Sequence, residues 1–373
     1  SLDYVNKSLT YLDPTDCGNG QYYFDNEIGP LRMLEVCVSG KNRTKFEYTE
    51  VNGVVCELLC PLPAGTFIKE NFVRTWSNAT QWPNQVVPLS GDNVTVNGNW
   101  TVLLDIDPNP LNFLVVDGTL VADDTRNVNI TANSIHIRAG NITAGSPGNP
   151  FLHNFTIQLN GKKTDNGFYV DPIFSANKFL VVTGSLNLYG NTPGTVTTYL
   201  AQTALQGSST IFVGSSTGWN VGDTLVLSPS NSIYSEFEKV IIQAINPDGS
   251  LSLTTPLAYN HYGASSLTIN NNYGTLDART QVGHVNRNIQ IVPGPEAGWG
   301  FTVYIYGFLD DTILRIGSAQ LRGVQFQDGG QLDTLNSPLV FMNTVGGNYT
   351  SSVVGTSFIN CKANCLYVQN AQN

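Results

Sequence analysis

Between Thr75 and Ile106 the chain reads TWSNATQWPNQVVPLSGDNVTVNGNWTVLLDI, and from Asp92 onward apolar and polar residues take turns. NVTVNG, RNVNIT, SIHIRAG and FTIQLNG repeat the scheme: apolar residues at every second position, then a turn. A period of two sends alternate side chains to opposite faces, so each run predicts a short strand with one buried face. Gly98, Gly118, Gly140 and Gly161 recur every 20–22 residues, the length of one coil of a parallel β-solenoid. A single coil cannot bury its apolar face, so stacked coils must share one core. A sandwich is the alternative; the short runs and regular glycines favour the solenoid.

Over residues 200–273 the style changes. GSSTIFVGSSTGWNVGDTLVLSPS and KVIIQAINPDGSLSLTTPLAYN hold longer runs, and NPDG between VIIQAI and SLSLTT is a hairpin signal. From residue 274 the short runs return: RNIQIVPG, FTVYIYGFL and LRGVQFQDGG. The pattern therefore divides the chain into a cysteine-bearing module (1–74), coils (75–199), an antiparallel insert (200–273) and further coils (274–373). The last segment reads as an unfinished coil, which leaves open a chain running past Asn373 or an end packed on another chain.

Composition sharpens this picture. Of 373 residues 41% are hydrophobic, enough for a core, while 12% are charged, about half the usual share. Asn, Thr, Ser, Gln and Gly must then supply the polar surface, and these favour turns over helices. A net charge of −10 and 18 dispersed basic residues argue against a nucleic-acid partner. No apolar run approaches the ~20 residues of a membrane span. Ser1 opens no signal-peptide pattern, so we expect a mature chain whose leader is gone, or a piece of a longer one.

Six cysteines, Cys17, Cys37, Cys56, Cys60, Cys361 and Cys365, are expected in disulfides whose pairing sequence cannot choose. CELLC and CKANC lie far apart with no histidine beside them, so no metal site is expected. Nine Asn-x-Ser/Thr sequons begin at Asn6, Asn42, Asn78, Asn93, Asn99, Asn129, Asn141, Asn154 and Asn348. Sequons with paired cysteines point to a secreted or cell-surface glycoprotein.

The segments TWSNATQWPNQVVPLSGDNVTVNGNWTVLLDI, LNFLVVDGTLVAD, ANSIHIRAGNITAGSPGNPF and FTIQLNG, in this order, resemble the eight-glycine (G-eight) domain family of fibrocystin and the cell-migration-inducing hyaluronan-binding proteins. GWNVGDTLVLSP, LSLTTPLAYNHYG, VGHVNRNIQI and LRGVQFQDGGQ are similar to segments C-terminal to that domain in the same proteins. The resemblance covers residues 75–373. It implies an all-β fold: a right-handed parallel β-helix with an inserted antiparallel subdomain, behind a small disulfide-bonded N-terminal module. Some members of this family degrade or bind hyaluronan; others are large surface proteins. The hyaluronan-processing branch carries Pro-x-His-x-His after GGQ. Here the stretch is SPLVFMNT, with Pro338 but neither histidine.

Candidate chemistry is sparse. Of four histidines, His136 alternates with Ile135 and Ile137, and a surface or hydrogen-bonded ring is expected. His261 in YNHYG is expected to stabilise a turn. Asp105 and Asp107, Asp123 and Asp124, and Asp310 and Asp311 are expected as turn residues. Calcium held by such carboxylates, with Arg315 or Arg322 as base, is the lyase-like alternative. Glu236 and Glu238 match a glycosidase pair by type, but a solvated strand face is the plainer reading. No phosphate loop or Cys–His pair occurs.

The sequence thus predicts a secreted, N-glycosylated structural protein without catalytic residues or cofactor, self-associating head to tail into a filament. A carbohydrate- or protein-binding ectodomain and a polysaccharide-degrading enzyme are the alternatives.

Overall fold

The computed structural model describes residues 73–371, except 166–167, 171–172, 176–177, 264–266, 269–274, 297, 311–312 and 346–349, together with residues 2–3, 8–9, 21–23 and 54–56 ahead of them. Cys17, Cys37 and Cys60, and the sequons at Asn6, Asn42 and Asn348, lie outside the described residues.

The described chain is all-β, its helical content three single-turn 3₁₀ segments. Its main body is a stack of coils whose strands pair in parallel. One face runs Val73–Thr75, Thr101–Leu104, Thr119–Ala122, Asn141–Ala144, Ser185–Tyr189, Ser318–Arg322 and Ser352–Val354. Opposite it lies a larger sheet that divides at one strand, Val128–Ile137. The first half of that strand pairs with Phe155–Leu159 and the second half with Phe179–Val182. Early coils thus have two sides and later coils three. The sequence marks the bend. Ile130 and Ala132 keep the period of two, whereas Asn133 and Ser134 intervene before the next inward residue, Ile135.

The inward residues build one continuous core: Val94, Leu114, Ile135, Leu180, Val303 and Leu339 belong to it, on successive rungs of one sheet. Each such side chain contributes about 1.5–3 kcal/mol by leaving water. Phe179–Val182 is apolar throughout because both its sides are covered. Leu180 and Val182 face the stack, while Phe179 and Val181 join Tyr304 and Val340 in a second cluster outside it.

Turns at one corner are built on a column of glycines. A Cβ on Gly118 would overlap the Asn97 carbonyl, on Gly140 the Gly118 carbonyl, on Gly184 the Gly140 carbonyl, and on Gly317 the Val182 carbonyl. Two of these carbonyls accept backbone bonds from the next rung, Asn141 N to Gly118 O at 2.8 Å and Ser185 N to Gly140 O at 2.9 Å. Gly98 and Gly161 do not join this column. The Asn97 carbonyl occupies the rung beneath Gly118, and Gly161 follows Phe155–Leu159 on another side of the coil.

Three tryptophans close the first described coil. Trp76 and Trp82 meet edge to face at 4.7 Å, Trp82 and Trp100 at 5.9 Å, and all three are buried. The Trp82 indole N–H donates to the Trp76 carbonyl at 2.9 Å, and the Arg74 guanidinium lies 3.9 Å over the Trp100 ring. The inward positions of the last described coil are open instead. Leu366 and Val368, in register with core residues Leu339 and Phe341, are 44% and 57% exposed. Beside them Cys361 and Cys365 are joined in a disulfide.

Between Gly190 and Ile289 the chain leaves the stack and forms an antiparallel sheet ordered Thr197–Tyr199, Gln281–His284, Thr224–Leu227, Glu238–Ile245, Ser250–Leu253, Thr210–Phe212. A Leu200–Val213 bridge joins the two ends of that order, so the sheet closes on itself. Its core, including Leu200, Trp219, Leu225 and Ile242, is separate from that of the stack.

Candidate functional site: the asparagine-bearing faces

Six sequons fall in described residues, and the strand pattern sets how each is presented. Asn78 caps the 3₁₀ turn Ala79–Gln81; its Oδ1 accepts from Thr80 N at 3.1 Å and Thr80 Oγ1 at 2.8 Å. Asn99 lies in the turn before Thr101–Leu104, and Asn154 just ahead of Phe155–Leu159; both are exposed, as are Asn78 and Asn93. Asn93, Asn129 and Asn141 sit on strands, alternating with inward-facing neighbours.

Parallel stacking places like residues on like rungs, and here it lines up amides. Asn112 Nδ2 donates to Asn93 Oδ1 at 2.8 Å, and Asn133 Nδ2 to Asn112 Oδ1 at 3.1 Å. On the opposite face Asn187 Nδ2 donates to Asn141 Oδ1 at 3.1 Å. These ladders satisfy polar groups that parallel strands would otherwise crowd together. Periodicity alone did not reveal them, because Asn112 and Asn133 fall at the bend.

The ionisable residues are committed to structure. His136 is buried; its Nε2 lies 3.1 Å from Thr183 Oγ1, whose own proton goes to the Arg138 carbonyl at 2.7 Å. The hydroxyl therefore accepts, and the ring is neutral with its proton on Nε2. Burial, then the Arg138 charge, lowers its pKa from 6.5 to about 4. Beside it Arg138 grips the nearly buried Asp117. His261 is fully buried and does more than stabilise a turn: Nδ1 faces the Ser228 carbonyl at 3.1 Å and Nε2 the Glu238 carboxylate at 2.9 Å.

The glutamates do not form a pair. Glu236 accepts from Asn231, whereas Glu238 accepts from the Ala258 and Tyr259 backbone N–H groups, both at 2.8 Å. Glu238 is thus a partly buried brace rather than part of a solvated face, because its carboxylate also meets the His261 ring. Asp105 accepts from Ser77, Asp107 from Arg126 and the Asn129 backbone, Asp123 from Thr125, and Asp124 from the Leu152 backbone. Each carboxylate ties a different turn. Among the described residues no three His, Cys, Asp or Glu side chains converge as metal ligands.

Where the barrel meets the stack, His284 bridges Asp223 (Nε2, 2.9 Å) and Arg287 (Nδ1, 3.1 Å), with Trp219 stacked on its ring. Arg287 Nε also donates to the Gly355 carbonyl at 2.6 Å, and burial lowers its pKa to about 10, opposed by Asp223.

A recess of about 400 Å³ lies along VPGPEAGWG and VQFQDGG, lined by Gly294, Glu296, Gly300, Gln327, Asp328 and Lys362. Lys362 lies 3.3 Å from Asp328. The wall is clasped from behind by Lys178, fully buried, whose Nζ donates to the Gly294 and Trp299 carbonyls at 3.2 and 2.9 Å; burial lowers its pKa. The lining holds the ionisable Glu296, Asp328 and Lys362 and the amide of Gln327, but no histidine, cysteine, serine or threonine.

Parallel coils with a barrel set into them define the architecture, and residues 81–201 match the G8 domain model. That segment is related to the G8 domain family. It is 30% identical over 233 residues to human (Homo sapiens) fibrocystin-L and 31% identical over 194 residues to mouse (Mus musculus) fibrocystin, matches that take in 61% and 51% of this chain. The chain spans 5% of the length of each of these proteins. Protein rliB of Dictyostelium discoideum is 25% identical over 303 residues, covering 77% of this chain and 25% of that protein. Among solved structures, a tailspike of Acinetobacter baumannii bacteriophage AP22 in complex with a capsular saccharide has a TM-score of 0.21 at 13% identity, covering 62% of this chain and 30% of the tailspike. That likeness is too weak to bear on fold or function.

Proposed function

We propose that the chain acts outside the cell as an N-glycosylated structural protein. In this reading its coils wind in the right-handed sense, hold a rigid shape, need no cofactor and catalyse no reaction. The carrying observation is the presentation of the sequons: Asn78, Asn93, Asn99 and Asn154 are exposed on the outside of a stack whose alternate residues are buried. Right-handed winding is supported by the general handedness of connections between parallel strands of one sheet. Among the described residues no helix is long and apolar enough to cross a membrane.

Copies associate head to tail in this reading, forming a glycan-coated filament. Stacks of parallel coils grow by adding rungs along their axis, and contacts that do not close on themselves build filaments. A second reading, a carbohydrate-binding surface ectodomain, draws on the barrel, where Tyr234, Phe237 and Tyr259 are 87%, 57% and 39% exposed; aromatic faces of this kind stack on sugar rings.

Electron microscopy of the purified protein, with and without enzymatic deglycosylation, tests the first reading. Regular filaments that lose peripheral density on deglycosylation support it. Monodisperse particles refute the filament, and binding on a glycan array by those particles favours the second reading.

A further inference from the structure

The direction of the amide ladders separates sequons that accommodate a sugar from one that does not. We propose that Asn93 and Asn141 carry N-linked glycans and that Asn129 stays unmodified in the folded protein. This rests on the glycoprotein reading above.

N-glycosylation uses one atom of the asparagine amide. The nitrogen attacks C1 of an activated glycosyl donor, a C1–N bond forms, and the C1–O bond breaks with its electron pair leaving on the donor's phosphate. One amide proton passes to a base of the transferring enzyme. The carbonyl oxygen and one N–H survive.

In both ladders every donor points back toward the earlier rung. Asn112, Asn133 and Asn187 spend Nδ2 on the rung before them. None of these three has Ser or Thr two positions on; Leu114, Ile135 and Tyr189 stand there. Asn93 and Asn141 open their ladders and enter them through Oδ1 alone. Both belong to sequons, with Thr95 and Thr143 two positions on. A glycan on either nitrogen leaves its ladder bond intact. The asparagines that carry the signal are those whose nitrogen the ladder does not use.

Asn129 uses its amide differently. Its Nδ2 donates to Thr131 Oγ1 at 3.4 Å, the hydroxyl of its own sequon, and Thr131 is only 7% exposed. Asn129 Oδ1 is buried without a hydrogen-bond partner. Its backbone N–H is tied to Asp107 at 3.1 Å, and the strand is paired, with Asn129 in register with Thr156. With its oxygen buried and its nitrogen turned onto a buried hydroxyl, this amide leaves a sugar ring no open path.

The test uses the whole chain expressed in a eukaryotic secretory host. Folded protein is treated with peptide N-glycosidase in ¹⁸O-water, and labelled aspartate is located by peptide mass spectrometry. Label at Asn93 and Asn141 with none at Asn129 is the expected result. Asn129→Gln then leaves electrophoretic mobility unchanged, while Asn93→Gln and Asn141→Gln each remove the mass of one glycan. Label at Asn129, or bare Asn93 and Asn141 beside labelled Asn78 and Asn154, overturns the inference and leaves the glycoprotein reading standing. No label at any of the six described sequons overturns both.

Discussion

The stack and the barrel solve one problem in two ways. Both bury short, alternating strands. The barrel closes its sheet on itself through the Leu200–Val213 bridge and so disposes of its edges. The stack leaves its sheets open along the axis and relies on each coil to cover the next. Closure tolerates irregular rungs, such as the register shift between Ile242 and Ala244. Stacking demands repetition, because whatever stands at a corner meets its counterpart one rung away. Glycine columns and amide ladders accordingly belong to the stack.

Replacing glycine by alanine in each region tests that contrast most sharply. Gly140→Ala places a methyl group on the Gly118 carbonyl. Backbone cannot give way as a flexible side chain would, so a loss of about 4 kcal/mol or more is expected, read by denaturant unfolding. Retained stability would show that the corner relaxes and that the column is incidental.

Acid offers the second test. His136, between two rungs of the stack, has its folded pKa lowered to about 4 by burial and the Arg138 charge. The unfolded chain then takes the proton first. Stability is full above pH ~6.5 and falls as pH drops toward 4, by up to about 3 kcal/mol from this group. Thermal melts at pH 7 and 4.5 should show a smaller acid loss in His136→Gln than in the parent. Equal losses would place the acid sensitivity elsewhere.

Asn112 both donates to Asn93 and accepts from Asn133. Asn112→Ala should cost about 1 kcal/mol, seen as faster amide exchange on the adjoining rungs. The smallest effect belongs to the barrel. A methyl group on Gly283 meets nothing within 4 Å, so Gly283→Ala should change stability by less than about 1 kcal/mol, in the stabilising direction. If it destabilises as much as Gly140→Ala, the contrast between stack and barrel collapses.

Much of this architecture was legible in the alternation. NVTV, NITA and FTIQL form strands with their apolar residues inward. Asn246–Gly249 turns between Glu238–Ile245 and Ser250–Leu253. Coil spacing was legible only while coils followed one another directly. Gly184 and Gly317 extend the corner column in space, but the barrel and other segments between coils break the period in sequence. The division of the large sheet was hidden as well, since a bend costs only a two-residue lapse at Asn133 and Ser134. Candidate residues fared by type. Sequons are defined by three adjacent residues and read directly. The surroundings of His136, His261 and Glu238 come from strands tens of residues away, beyond any local pattern.

The barrel's first and last strands are neighbours, Thr197 opposite Gly283. Once folded, it returns the chain to within about one strand spacing, ~4.8 Å, of where it left. Ser185 and Ser318, adjacent rungs whose hydroxyls lie 3.0 Å apart, are separated by 133 residues of chain. Joining them through an unfolded insert would close a long loop at a large entropic cost. A prefolded barrel turns that long loop into a short one. In kinetic terms the insert should act as a clamp: barrel first, later coils afterwards, with the rate of stack completion set by how fast the barrel closes.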